Sequence, residues 1–215
     1  MVYTIISLNV GKPKIYQLEG KEIRTGFIKK PINQPSFLTL TGFEEDGQAD
    51  LKNHGGVEKA LLMYPKEHYL FWNKQYNKSF AYPAFGENIT IEGLTEKDVF
   101  IGDIFQLGEA EVQVSQPRQP CYKIAKVNGI NEMPAVVTET GYSGFYFRVL
   151  KEGAVKPTDE LKKIKEAKHR VSSFDIFDCL FHDRQNKQRM EEYLLLDGLA
   201  ANVKATLQKR IDKLG

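Results

Sequence analysis

The chain predicts a β-rich barrel or sandwich followed by a small helical module, on three observations. Up to about residue 155, short alternating runs are broken by Gly and Pro at close intervals, the mark of many short strands joined by turns. After about residue 168 the period becomes helical, with Leu199, Val203, Leu207 and Ile211 recurring at every fourth position. At 215 residues, 41% hydrophobic and 27% charged, the chain suits one substantial domain, or one with a small appendage.

Taken in order, Met1 to Val10 reads as a first strand, lacking the basic start and small-residue cleavage site of a leader. Lys14–Leu18 and Glu22–Lys29 alternate on either side of a hairpin-like turn at Glu19-Gly20-Lys21-Glu22. Pro31 and Pro35 interrupt before Phe37–Phe43, which reads as one further strand, and Lys59–Tyr64 as another. Pro65 is expected at the first position of a helix running to Asn73. Val99–Leu107 carries a Gly102-Asp103 turn, read as no more than a hairpin. Glu109–Ser115 is expected to be the strand feeding the next segment, and Gly144–Leu150 is strongly β-prone. In the tail, Ser172 and Asp175 resemble a capping box ahead of an apolar helical face that includes Cys179, read as structural. A second helix is expected over Gln185–Leu196. Lys204, Lys209, Arg210 and Lys213 lie off the apolar stripe that follows and read as a solvated face. The boundary falls at Lys156-Pro157-Thr158 or within Lys162–Lys168; we take 1–167 as the β-rich domain and 168–215 as a three-helix domain.

Composition excludes several classes of function. A net charge of +2 announces neither a nucleic-acid nor a membrane partner. Two cysteines make no disulfide framework, four scattered histidines give no zinc spacing, and no apolar run reaches the length of a membrane span. A cytoplasmic, reducing setting is therefore expected. Walker and dinucleotide fingerprints are absent, as is any defensible Ser-His-Asp set.

The stretch most able to carry chemistry is Ser115-Gln116-Pro117-Arg118-Gln119-Pro120-Cys121. Two prolines argue against an ordinary helix or central strand there. Arg118 offers paired planar donors to an oxyanion, and a cation near Cys121 favours the reactive thiolate. The same pattern also fits a rigid loop with a small buried Cys, and the local residues leave the two readings open. His54-Gly55-Gly56 could form an anion-binding nest, with His54 as a donor or proton shuttle and Lys59 adding charge. Asn88 in Gly86-Glu87-Asn88 could present an amide to a ligand, and Lys29 adds a cation; an ordinary turn and a solvated strand end are the plain alternatives. His68 reads as a satisfied structural histidine. The inventory suits an anionic ligand with a soft reactive centre, since thiolates bind sulfur-loving metals.

Taken together, the 115–121 stretch, His54-Gly55-Gly56, Gly86-Glu87-Asn88 and Gly102-Asp103-Ile104-Phe105 resemble the MOSC domain family, and the helical tail resembles its YiiM-type branch. The resemblance implies a closed, mainly β barrel of the MOSC type with peripheral helices, followed by a three-helix module. It implies a molybdenum cofactor (a pterin bearing dithiolene and phosphate), with Cys121 as the metal ligand. Arg118, His54, Gly55, Gly56 and Lys59 would line the site, and Gln116, Lys29 and Asn88 are candidates beside them. Where family members often carry Arg, this chain has Lys59, which keeps the charge but not the paired donors. The implied activity is reduction of N-hydroxylated compounds of the hydroxylaminopurine or amidoxime type, with His54 a candidate proton donor. No flavin or nicotinamide motif is present, so a separate electron-donor protein is expected, and the tail is a candidate docking place. A sulfur carrier using a Cys121 persulfide, and a cofactor-holding module without turnover, are the rival readings.

Overall fold

The elements below come from a computed structural model and cover residues 1–49 and 55–215. In chain order, β1 (Val2–Val10), β2 (Lys14–Leu18), β3 (Lys21–Thr25), β4 (Lys30–Pro31), β5 (Ser36–Thr39) and β6 (Gly42–Phe43) precede a 3₁₀ turn at Val57–Lys59. Next come β7 (Leu61–Pro65), helix α1 (Glu67–Tyr76), β8 (Ile89–Glu92), β9 (Ile104–Leu107) and β10 (Ala110–Pro117). Helices α2 (Tyr122–Asn128) and α3 (Met133–Thr140) lead to β11 (Phe145–Lys151), β12 (Gly153–Val155) and β13 (Glu160–Lys165). The tail is α4 (Ser173–Phe181), α5 (Lys187–Leu194) and α6 (Ala201–Leu214).

Seven strands close a barrel in the order β13-β9-β10-β11-β7-β8-β1, and β1 returns to β13 through Val2–Thr4 against Glu160–Lys162. Closure leaves the ring without a free edge. Within it only β7 and β8 run parallel, which the α1 crossover between them makes possible. Phe105, Val112, Val114 and Phe147 are fully buried in the main core. That core continues without a break into the tail, through Ile176 and Cys179 of α4 and Val203, Leu207 and Ile211 of α6. The fourfold stripe on α6 is thus the face that docks on the barrel. Ser172 and Asp175 do form a reciprocal capping box at the start of α4. A second, aromatic cluster packs Tyr69 and Trp72 of α1, Ile124 of α2 and Met133 of α3 around Tyr64 and Phe85, whose rings stack 4.3 Å apart.

Several expectations need correction. Phe37–Phe43 is not one strand but the β5–β6 hairpin, folded at Leu40-Thr41. Pro65 does not open a helix: it ends β7 opposite Ile91, and α1 begins at Glu67. Asp103 does more than turn the chain. It is fully buried, ion-paired with Lys163, and accepts from the Ala167 amide at 2.8 Å, anchoring the segment that leads to the tail. Finally, β10 runs two residues past Ser115. Pro117 pairs with Phe145, and the Arg118 amide donates to Gly144 at 3.0 Å. Pleat alternation turns the Pro117 nitrogen to the opposite side, where β9 has already stopped at a pairing with Gln113. The missing N–H therefore costs no ladder bond.

Candidate functional site

The extension of β10 beyond its neighbour is what delivers the Pro-Arg-Gln-Pro-Cys stretch. Past Gln113 the strand keeps β11 on one side only. Its other side is covered from outside the barrel strands, by Gly102 N to Val114 O at 2.9 Å, Val114 N to Asp103 O at 3.0 Å and Ala200 N to Ser115 O at 3.0 Å. The chain then leaves the barrel rim, and Cys121 stands at the start of α2 in extended conformation, partly exposed.

Cys121 opens onto a cleft at the barrel rim. Its apolar side is built by Phe27, Leu62 and Phe85; its polar side includes Arg118, Lys59, Lys123 and Tyr146. Counting Lys29, the described lining carries four cationic side chains against one carboxylate, Asp46. Arg118 is 4% exposed, with its guanidinium 5.5 Å from the Phe27 ring centroid. Its Nη1 is buried and has no hydrogen-bond partner among the described residues. Burial pushes the Tyr146 phenol up, the Arg118 charge pulls it down, and the neighbouring Cys121 thiolate charge pushes it up again, leaving it raised.

The predicted residues divide by what they do. Arg118, Cys121, Lys59, Lys29 and Asn88 share the cleft. Lys29, however, is buried in an ion pair with Asp46, so its charge is already balanced. Asn88 spends its amide on the protein: Nδ2 donates to Asp46 at 2.7 Å and to Asn9 O at 3.3 Å, and Oδ1 accepts from the Leu62 amide. It positions Asp46 and presents no free amide to a ligand. Gln116 is not in the cleft; it is fully buried, donating to Glu58 O and accepting from Asn202 Nδ2 at 3.1 Å. Gly55 and Gly56 line a neighbouring groove, and His54 lies outside the described residues.

The rest of the Gly86-Glu87-Asn88 motif is explained by packing. A Cβ on Gly86 would meet the Phe27 ring at 2.8 Å, and its φ of +74° favours glycine. Glu87 is fully buried, bonded by Tyr69, by Thr90 and by the Phe85 amide, and burial raises its carboxyl above the ordinary range. His68 is buried on Glu96 at 2.7 Å and stacked on Tyr142. Cys179 is buried and its thiol pushed up by desolvation, as befits a packing residue.

Sequence reading missed Tyr146, Lys123, Phe27 and the role of Asp46. Tyr146 was accessible in principle: with Phe145 and Phe147 packed inward, alternation turns it to the other face of β11. Nothing local marked the others.

Comparison with known proteins agrees with this architecture. The MOSC domain model matches residues 50–162, and the YiiM-like, 3-alpha helix domain model matches residues 174–214. The uncharacterized protein YflK of Bacillus subtilis is 46% identical over 212 residues, covering 99% of this chain and 96% of YflK. A protein named Reductase from Gibberella moniliformis is 31% identical over 168 residues, which are 75% of this chain but only 29% of that protein. The crystal structure of YiiM from Geobacillus stearothermophilus matches with a TM-score of 0.84 at 38% identity, covering 97% of this chain and 99% of that one. Barrel, tail and relatives converge: the chain belongs to the MOSC domain family, in the branch that carries a YiiM-like three-helix domain.

Proposed function

We propose that the chain binds the molybdenum cofactor in this cleft, with Cys121 Sγ as the protein ligand to the metal, and reduces N-hydroxylated compounds of the hydroxylaminopurine or amidoxime type. The observation that carries the reading is Arg118. A buried guanidinium with an unused Nη1 donor is costly to keep unless an anion completes it. A phosphate- and dithiolene-bearing pterin is such an anion, and it brings a soft metal to the thiol beside it. Among the described residues, no three His, Cys, Asp or Glu side chains gather to hold a metal ion. A metal at Cys121 would thus arrive with its other ligands attached, as a chelated cofactor does.

When bound, the cofactor supplies the two-electron chemistry that cleaves the N–O bond. The chain's own residues do the rest. Arg118 and Lys123 hold the anionic part, with Lys59 beside them. Phe27 and Phe85 keep one wall dry. The Tyr146 phenol, raised by burial, keeps its proton on Oη through neutral pH at a position next to Cys121. The name of the fungal relative supports an oxidoreductase class. Electrons come from a separate donor protein. No helix among the described residues is long and apolar enough to cross a membrane.

The test is metal and pterin analysis of chain produced in a host with an intact molybdenum pathway. About one molybdenum and one pterin per chain are expected, with N-hydroxy reduction under an artificial reductant, and Cys121→Ala should lose the reduction. Full activity in Cys121→Ala would remove the ligand assignment. A labile sulfur adduct on Cys121 with no molybdenum would replace the reading with a persulfide carrier.

A further inference from the structure

Beside the cleft lies a groove that shares only Lys59 and Tyr146 with it among the described residues. One side of the groove is Gly55 to Glu58; the tail supplies Ala201, Asn202 and Thr206 from the first two turns of α6. Gln119 and Pro120 line the groove as well, while Arg118 before them and Cys121 after them line the cleft. The charge of the two spaces differs. Among the described residues the cleft's lining sets four cations against one carboxylate, whereas the groove's lining carries one of each, Lys59 and Glu58. The described lining of the groove is therefore formally neutral, with the amides of Gln119 and Asn202 and the hydroxyls of Thr206 and Tyr146. Its helical wall is fixed to β10 by Ala200 N to Ser115 O at 3.0 Å and Asn202 Nδ2 to Gln116 Oε1 at 3.1 Å. Gly56, at φ +91°, has no described heavy atom within 4 Å of where a Cβ would stand.

We infer that the groove receives the organic body of the substrate, a neutral planar N-hydroxylated heteroaromatic, while the cationic cleft holds the anionic cofactor. The tail thereby contributes specificity residues, Asn202 and Thr206, and Tyr146 stands where the two spaces meet. Neutral heteroaromatic edges need paired donors and acceptors and no net charge, which is what the groove offers and the cleft does not. The inference rests on the reductase reading for the chemistry, but not for the binding.

Ala201→Trp tests it, because residue 201 is exposed and a large side chain there fills the groove. In cofactor-loaded chain, the ratio of kcat/KM for 6-hydroxylaminopurine to that for hydroxylamine should fall at least about tenfold. Thr206→Phe should lower the same ratio, guarding against a folding defect peculiar to one variant. Independently of turnover, adenine added to the ¹⁵N-labelled full chain should shift the amides of Gly56, Gln119 and Asn202 saturably, and not in Ala201→Trp. Adenine shifts centred on Phe27 and Arg118, or an unchanged ratio in both variants, would overturn the groove and leave the reductase reading standing. Loaded chain that reduces neither compound, yet still shows the groove shifts, would overturn the reductase reading and keep the groove as a base-binding site.

Discussion

Replacing Arg118 with Met should separate binding from stability, because the two effects have opposite origins. In the ligand-free chain, the substitution removes a buried donor that no described residue completes, relieving about 1–3 kcal/mol of desolvation. It also removes the guanidinium over Phe27, 5.5 Å from the ring centroid, a contact worth about 0.5–2 kcal/mol. Met keeps most of the aliphatic packing, and the Arg118 backbone bond to Gly144 O is untouched. The balance runs from about 1 kcal/mol lost to about 2.5 kcal/mol gained. At roughly 2–4 °C per kcal/mol for a chain of this size, Tm should fall by no more than about 4 °C and can rise by about 10 °C. Toward an anionic ligand, the same change forfeits at least one charge-assisted hydrogen bond, about 1.5–3 kcal/mol, or roughly 10- to 150-fold in Kd. The assay is calorimetric unfolding with and without bound cofactor, together with pterin retention after dialysis. A ligand-free Tm lowered by more than about 10 °C would show Arg118 to be a structural residue. Unchanged pterin retention would show that its guanidinium does not face the ligand.

Two further substitutions probe the frame of the site. Gln116→Leu removes the bonds to Glu58 O and Asn202; a cost of about 1–3 kcal/mol and faster amide exchange over Ala200–Lys204 are expected, and unchanged protection there would mean that the tail does not lean on Gln116. Glu87→Gln tests the buried carboxyl. Its folded pKa is raised by burial, so its stabilising contribution is full below the ordinary value of 4.5 and is lost as pH rises through the folded value. The Tm of Glu87→Gln relative to the parent should therefore climb from pH 4.5 toward neutral, and a pH-independent difference would refute the assignment.

What the sequence made legible is what repeats. Alternation and turn residues announce the barrel, and the α6 stripe announces its docked face, because burial imposes period on many residues at once. Cys179 and His68 were also legible, one from its place on an apolar helical face, the other from its aromatic neighbours. Single polar partnerships were not. Lys29 looks like a free cation until the fold brings Asp46 to it, and Asn88 looks like a ligand amide until Asp46, Asn9 and Leu62 consume it. Gln116 sits inside the motif that carries Arg118 and Cys121, yet its partner Asn202 is 86 residues away. Proline misled in both directions for one reason: whether Pro65 and Pro117 can sit in a strand depends on which neighbour faces the missing N–H, and only topology decides that. Helices α2 and α3 are short, and their apolar residues are held by the aromatic cluster around Tyr64 and Phe85 more than by their own pattern.

A buried guanidinium with an unused donor can persist in a folded chain only where the backbone cannot move to satisfy or expose it. Here Arg118 follows directly from a barrel strand, its amide tied to Gly144 and its neighbour Pro117 held opposite Phe145. Phe145 is itself fully buried in the main core. On the other side the tail covers β10 through Ala200 and Asn202, and a single core runs from the barrel into α6. Relaxing Arg118 toward water would thus disturb the barrel rim and the tail's seat together. The closed sheet and the docked helices keep in place a buried donor that no described residue completes, and that donor is what an anionic ligand would find preorganised. On this argument the three-helix tail serves the site even without touching the cofactor, because it braces the strand from which Arg118 and Cys121 project.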